Sequence, residues 1–469
     1  MRTRMIRLVG TAVLLWVASL PAAADGWKLE ADDYTADYTG ASTANGMLGI
    51  LPWKEPFSIR HVVLNHVFEL NDRTGVNCAV RGIDPFSMTM RVDGREIDGD
   101  AISGWRQTID MRRAEHTTTF VADGKLRVAY SVIALRNMPY AALIDVEVTA
   151  LQDAEADFRT AMQVPEGEYR TSRRTHRSFL VDGHPTNILR TDARTAHGRS
   201  ASSMFIPACE GFGYEGRDDA ARLRLRLKAG ETKRFTLAGA VCTTRDFSDP
   251  YSESERQVIY IAHESVDRVL AGHRRLWDEM WQGDIEIEGD DEAQRVVRFA
   301  LYNLYASCRA GSRLSIPPMG LSSQGYNGHI FWDAELWMYP PMLLLNEGIA
   351  RSMVDYRTDR LAAARRRASA YGYRGVMFPW ESDWFGEEST PTWAITGPME
   401  HHITADVGIA AWNYYCVTRD REWLRTTGWP LLKEIAAFWV SRVVRNDDGS
   451  YSIAGVVGAD EYAMNVTDN

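Results

Sequence analysis

The last residues of the sequence, Gly458-Ala459-Asp460-Glu461-Tyr462-Ala463-Met464-Asn465, place two adjacent carboxylates in a loop rather than on a charged helix face. Upstream, several tryptophans stand beside carboxylates, among them those in Phe331-Trp332-Asp333-Ala334-Glu335, Pro379-Trp380-Glu381 and Asp383-Trp384. Eleven of the fifteen tryptophans fall between Trp277 and Trp439. A sugar presents apolar C–H faces and hydroxyl rims, so a surface that binds one needs flat aromatic platforms next to acceptors, and this stretch supplies both. Large aromatics also fill helix contacts, but their gathering with carboxylates in loops favours a binding surface. Breaking a glycosidic bond near neutral pH needs a carboxyl kept protonated at the leaving oxygen by burial or by a like charge. The pair Asp460-Glu461 offers such a group.

The adjacent His401 and His402 raise a second chemistry, a metal held with Glu400. Neighbouring helical residues point about 100° apart and grip one ion poorly, and no HExxH spacing is present; no metal is expected. The five cysteines (Cys78, Cys209, Cys242, Cys308, Cys416) show no CxxC or Cys/His finger spacing. Cys209 with Cys242 is the pair to examine for a disulfide, whereas Cys308 and Cys416 sit in apolar helical patterns and read as small buried residues.

These groups need elements to position them. Arg2, Arg4 and Arg7 precede the apolar run Leu8 to Leu20 and the small residues Ala22 to Ala24, the pattern of a cleaved export signal over residues 1–24. The run is shorter than the ~20 residues of a spanning helix, so a periplasmic or secreted protein is expected, with no membrane association after cleavage. The remaining 445 residues exceed a typical single core of ~100 to 200 residues. A net charge of −10 without a basic run argues against nucleic acid as a partner.

From Trp27 to Thr244 the pattern is strand-like. Phe86 to Val92, Thr117 to Val121, Leu126 to Leu135, Ala141 to Val148 and Leu223 to Leu227 alternate or run β-branched. Asp93-Gly94 and Asp123-Gly124 carry a tight-hairpin signature. A large antiparallel sandwich over residues 25–250 is expected. After Pro250 the period becomes helical: Val258 to Met280 reads as one linking helix within 251–290. A second helix from Asp291 carries Ala293, Val296, Val297, Ala300, Leu301 and Leu304 on one stripe. Further helices are predicted at Ala334 to Leu345, Ile349 to Ala370, Ala405 to Val417 (apolar nearly all round, as a buried inner helix would be) and Leu431 to Val444, which is opened by Pro430. The long loops Ser315 to Ile330 and Gly375 to His402 lie between them and are of the kind that carries function.

Five strings, MGLSSQGYNGHIFWDAELWMYPPMLLL (Met319 to Leu345), GYRGVMFPWES (Gly372 to Ser382), EHHITAD (Glu400 to Asp406), FWVSRV (Phe438 to Val443) and GADEYAMNV, resemble glycoside hydrolase family 65 in order and spacing. That family comprises trehalose, maltose and kojibiose phosphorylases, acid trehalases, kojibiose hydrolases and glucosyl-galactosyl-hydroxylysine glucosidases. The resemblance implies a multidomain β + α fold: an N-terminal β-supersandwich, a helical linker and an (α/α)6 barrel, here residues 291–469. It implies Glu461, in the family's DEY motif, as general acid, and Asp333, in FWD, as the group holding the hydroxyls of the non-reducing glucose. Trp332, Trp380 and Glu381 would complete the sugar subsite, with His401 and His402 shaping its wall. Where the family usually has Pro before Asp-Glu and His after Tyr, this sequence has Ala459 and Ala463, which points to a different leaving-group subsite.

Twelve barrel helices at ordinary lengths require more than ~300 residues, and Asp291 to Asn469 supplies 179. About half a barrel is therefore expected, and the resemblance implies that the inverting general base lies beyond Asn469. The 469-residue product alone is then expected to be poorly soluble and inactive, a sugar-binding fragment without turnover. The expected substrate is a small α-glucoside, with no cofactor; inorganic phosphate would be co-substrate only in a phosphorylase, the alternative to hydrolysis. The sequence leaves a homodimer open.

Overall fold

A computed structural model describes residues 26–181, 183–206, 212–215 and 220–468. The export signal read over residues 1–24, and Cys209 with its pairing to Cys242, lie outside the described residues.

The first half folds into antiparallel sheets. A nine-stranded sheet runs, edge to edge, through Lys28–Ala31, Ile102–Asp110, Glu115–Ala122, Leu126–Ala134, Ala141–Ala150, Thr232–Thr243, Arg199–Ile206, His184–Arg194 and Thr171–Val181. A five-stranded sheet (Phe212–Glu215, Ala220–Leu227, Ala154–Thr160, Met88–Val92, Arg95–Glu96) and a four-stranded one (Thr43–Ala44, Leu48–Pro52, Ile59–Asn71, Val76–Arg81) complete the layers. In Glu115–Ala122 every second residue is buried, which aims Phe120 into a core shared with Val128, Tyr130, Val146, Phe158, Leu223 and Phe235. Both Asp-Gly turns form as the sequence predicts. Val92 pairs with Arg95 across Asp93 (φ 49°) and Gly94 (φ 86°), a two-residue turn with both central residues left-handed.

Ten helices follow. Helix α1 (Pro250–Glu264) is capped by the Asp249 side chain on Ser252 N at 3.1 Å. Helix α2 (Val266–Met280) follows without a loop. One helix was expected here; Ser265, at φ 71° and ψ 145°, breaks it in two. The break lets each half follow its own surface. Val258 and Ile261 of α1 pack on the outer face of the large sheet with Leu143, Ala238 and Ala240. Helix α2 starts there with Val269 and Leu270 and ends with Trp277 in the helical core.

Helix α3 (Asp291–Ser307) begins at Asp290, whose carboxylate caps Glu292 N and Ala293 N. Its buried face is Gln294, Leu301, Tyr302, Tyr305 and Ala306. The predicted stripe is therefore displaced: Val296 is 63% exposed, because the aromatic tyrosines take the core side against Trp277 and Trp281. A π-turn, Ala334–Met338, leads into α4 (Tyr339–Leu345). Helices α5 (Glu347–Asp359) and α6 (Leu361–Ala370) divide the predicted single helix at Arg360, whose side chain turns back to the carbonyls of Tyr356 and Trp384.

The remaining helices are α7 (Thr396–Met399), α8 (Ile403–Thr418), α9 (Arg421–Trp423) and α10 (Trp429–Arg442), the last with Pro430 in its first turn. Helix α8 is not enclosed: Val407, Ala410, Ala411 and Tyr414 are buried, while Ile409, Trp412 and Val417 are each about half exposed. No described helix is long and apolar enough to cross a membrane. Cys308 is buried as expected, whereas Cys416 is only half-buried because it lies between the two faces of α8.

Candidate active site

Two loops meet at a short antiparallel bridge, Ile330 N to Ser382 O at 2.9 Å and Ser382 N to Ile330 O at 3.0 Å. This bridge brings Trp332 and Asp333 beside Trp380 and Glu381 although 48 residues of chain separate them. The indoles of Trp332 and Trp380 lie 6.4 Å apart at 31°, and the imidazole of His402 stands edge-on to both, at 4.8 and 5.4 Å. The result is an aromatic corner with a polar ring at its base. Asp333, half-buried at the start of the π-turn, has its carboxyl pushed up by desolvation.

Glu388 organises the second loop. Its two carboxylate oxygens accept Trp380 N at 2.9 Å and Glu381 N at 3.1 Å, the hydroxyl of Thr390 donates to it at 2.6 Å, and Arg367 pairs with it. A carboxylate collecting backbone donors in this way fixes the strand direction at Trp380 and so the aim of Glu381. The β-domain fixes the other side. His329 donates Nε2–H to the carbonyl of Asn77 at 2.5 Å and holds Glu381 Oε2 from Nδ1 at 2.8 Å. Asn77 also donates its side-chain amide to Asp383 at 2.6 Å. Burial pushes the Glu381 carboxyl up; His329 opposes this, and the charges of Glu388 and Glu461 add to it.

The two adjacent histidines divide. His402 Nδ1 lies 2.6 Å from Asp406 and Nε2 3.0 Å from the fully buried Glu400. Burial works against its charge, but these two carboxylates outweigh it and hold the ring at about 9, an imidazolium. His401 does not face the sugar subsite as the resemblance implied. Its Nε2 donates to Pro398 O at 2.9 Å and its Nδ1 accepts Arg442 Nε at 3.1 Å, among Tyr371, Tyr373 and Phe438. Burial lowers it to about 4, so it is a neutral strut between α7 and α10. The histidines are thus pulled apart by different partners. Among the described residues no group of three or more His, Cys, Asp or Glu side chains is arranged to hold a metal ion.

Glu461 is exposed, on a loop closed at its neck by the Val456–Val466 bridge. Val457 runs parallel to Glu400, with Val457 N donating to Met399 O at 3.1 Å, and Arg442 reaches Ala454 O at 2.6 Å. This anchoring puts Glu461 near enough for its charge to raise both Glu381 and Glu400. The structure therefore gathers Trp332, Trp380, Glu381 and His402 with Asp333 adjoining and Glu461 at the rim, and sets His401 behind them.

Similarity gives this arrangement its lineage. Residues 39–280 match the glycosyl hydrolase family 65 N-terminal domain, and residues 298–469 the family's central catalytic domain. The chain belongs to glycoside hydrolase family 65. Among its family 65 relatives are a kojibiose hydrolase of Flavobacterium johnsoniae, 40% identical over 95% of this chain, and one of Mucilaginibacter mallensis, 38% identical over 95%. The chain spans 67% of the length of each. A kojibiose phosphorylase of Escherichia coli is 29% identical over 96% of this chain and 61% of its own. A solved structure described as a kojibiose phosphorylase from the human microbiome superposes with a TM-score of 0.79 at 18% identity, covering 95% of this chain and 63% of that one. That likeness shows a shared fold.

Proposed function

We propose that this chain carries the glucose-binding and acid-supplying side of an inverting α-glucosidase, with kojibiose the first substrate to test. The observation that carries the reading is the aromatic corner of Trp332 and Trp380 closed by His402, with Glu381 and Glu461 within charge range of each other. The pyranose C–H face rests on the indoles, Asp333 and Glu381 take its hydroxyls, and Glu461 protonates the leaving oxygen from the open rim. An inverting enzyme also needs a base that activates water on the opposite face. The buried carboxylates nearby are engaged: Glu381 with His329, Glu400 and Asp406 with His402, Glu335 with Arg357. That role falls to a carboxylate outside this set.

Similarity over nearly the whole chain to two kojibiose hydrolases supports hydrolysis over phosphorolysis. The cationic n-region and apolar run of residues 1–24 support export to the periplasm or beyond. The test is product analysis of the complete protein on kojibiose and trehalose, with and without phosphate. Free glucose without phosphate, with β-glucose released first, supports the reading; strict phosphate dependence with β-glucose 1-phosphate overturns it in favour of a phosphorylase.

A further inference from the structure

The buried face of α10 is Leu431, Ile435, Phe438 and Arg442. That spacing is the one of an apolar helical stripe, yet its last place is taken by a cation. Arg442 is 7% exposed, and its partners among the described residues are neutral: the Nδ1 lone pair of His401 at 3.1 Å, the carbonyl of Ala454 at 2.6 Å and the ring of Tyr373, 5.7 Å away. Burying a guanidinium without a carboxylate is costly. The C-terminal end of α10 offsets part of that cost, but packing alone would be served better by an apolar side chain. The value of Arg442 therefore lies in what it holds.

It holds the loop of residues 453–468, which carries Glu461. The loop is closed on itself: Val456 and Val466 exchange backbone hydrogen bonds of 3.1 and 2.9 Å, Ile453 N donates to Asp468 Oδ1 at 2.7 Å, and Asp468 N donates to Ile453 O at 2.9 Å. Around Glu461 the hydrogen bonds stay inside the loop, from Ala463 N to Asp460 O and from Tyr462 N to Asp460 Oδ1. Among the described residues two hydrogen bonds tie the loop to the helical body: Val457 N to Met399 O at 3.1 Å and Arg442 Nη2 to Ala454 O. Gly455, at φ 66°, lies between these two anchors, and without a Cβ its torsions turn cheaply. The neck sets the shape of the loop, and the two anchors set its aim.

His401 completes the arrangement. Its Nε2–H is committed to Pro398 O at 2.9 Å, so Nδ1 is left to accept Arg442 Nε, and the rigid planar fork then lays Nη2 on the Ala454 carbonyl. Both anchors thus rest on one segment, Pro398 to His401.

We propose that Arg442 is a positioning residue for the catalytic acid, aiming Glu461 at the leaving oxygen through the Ala454 carbonyl; this rests on the reading of Glu461 as general acid. A proton donor acts only within hydrogen-bond reach, and a misplacement of about 1 Å costs on the order of a hundredfold in rate.

The experiment compares Arg442→Met, Arg442→Lys, Glu461→Gln and the double variant Arg442→Met/Glu461→Gln of the complete protein on kojibiose and on 4-nitrophenyl α-glucoside, whose leaving group needs little protonation. Methionine keeps an apolar stem and removes a charge that no carboxylate balances, so folding is threatened little; unchanged exchange of the α8 backbone amides checks this, and Arg442→Lys carries the same comparison if Arg442→Met does not fold. Arg442→Met lowers kcat on kojibiose roughly thirtyfold, leaves KM within about threefold and costs the aryl glucoside less than about threefold. Lysine, with a donor for the carbonyl, recovers part of the loss. In the Glu461→Gln background Arg442→Met costs nothing further, because the group it aims is gone. The amides of Val457 and Val466 exchange faster in Arg442→Met. Equal losses on the two substrates, losses that multiply in the double variant, or unchanged exchange at Val457 and Val466 overturn the role of Arg442 and leave Glu461 as the acid. A Glu461→Gln enzyme that hydrolyses kojibiose at the wild-type rate removes the acid assignment, and this role with it.

Discussion

Glu381 and His329 share one proton. His329 Nε2 gives its hydrogen to the Asn77 carbonyl, so the 2.8 Å contact between Nδ1 and Glu381 Oε2 needs a proton of its own, on one atom or the other. Either way the pair is neutral overall and Glu381 is held in one orientation. Replacing His329 by Leu leaves a buried carboxyl without its partner, a loss of about 3 kcal/mol. In the complete enzyme kcat/KM should fall roughly a hundredfold, with His329→Gln restoring part of it. A His329→Leu enzyme within twofold of wild type would remove this role.

His402 makes stability depend on alkaline pH. Its folded value of about 9 lies above the ~6.5 of an unfolded histidine. The imidazolium pairing with Asp406 and Glu400 is therefore fully present below pH ~6.5 and is lost as pH rises through 9. After allowance for partial screening this amounts to about 2 kcal/mol. Urea unfolding of His402→Gln should show a large deficit at pH 6 and little at pH 9.5; equal deficits at both would refute it.

His401, its neighbour, has the opposite sign. Its folded value of about 4 lies below the unfolded one, so its contribution is complete above pH ~6.5 and disappears as pH falls towards 4. The buried His116 and His273, also lowered to about 4 by desolvation, act in the same direction. The melting temperature should drop steeply between pH 6.5 and 4, and less steeply in His401→Gln. A parallel pair of curves would argue against the strut.

Glu335 and Arg357 form a buried ion pair, 2.7 and 2.9 Å through two guanidinium nitrogens, beneath the π-turn that starts at Asp333. Glu335→Ala strands the guanidinium and should cost about 3–5 kcal/mol, read as a lowered denaturation midpoint. Replacing both residues with apolar ones should recover much of that loss.

Glu461→Gln in the complete protein should keep sugar affinity within a few-fold and lose most turnover on kojibiose. Substrates with good leaving groups, such as aryl glucosides, should be spared because they need little protonation. Unchanged kojibiose hydrolysis would assign the acid elsewhere.

The strands, the Asp-Gly turns and most helices could be read from the sequence because each rests on a period or a turn residue within a few positions. The breaks at Ser265 and Arg360 could not, since both sit in unbroken helical patterns and are imposed by the surfaces that the flanking helices meet. At the site, Trp332, Trp380 and Glu381 were visible as aromatic–acid pairs. Glu388 looks like an ordinary surface charge beside Glu387, and nothing local ties Asn77 to Glu381. His401 and His402 are indistinguishable by type and position; only Asp406, four residues on along α8, hinted that His402 would be the charged one.

The link from Asn77 to Asp383 spans 306 residues and that from Asn77 to His329 spans 252. Contacts of such separation form late, after the chain between them has been ordered. During synthesis the β-domain emerges first and domains fold as units, so strand Val76–Arg81 is in place before the loop bearing Glu381 has been made. The first domain then serves as a template on which the loop bearing Glu381 sets, and a helical domain produced alone would reach its fold with Glu381 unaimed.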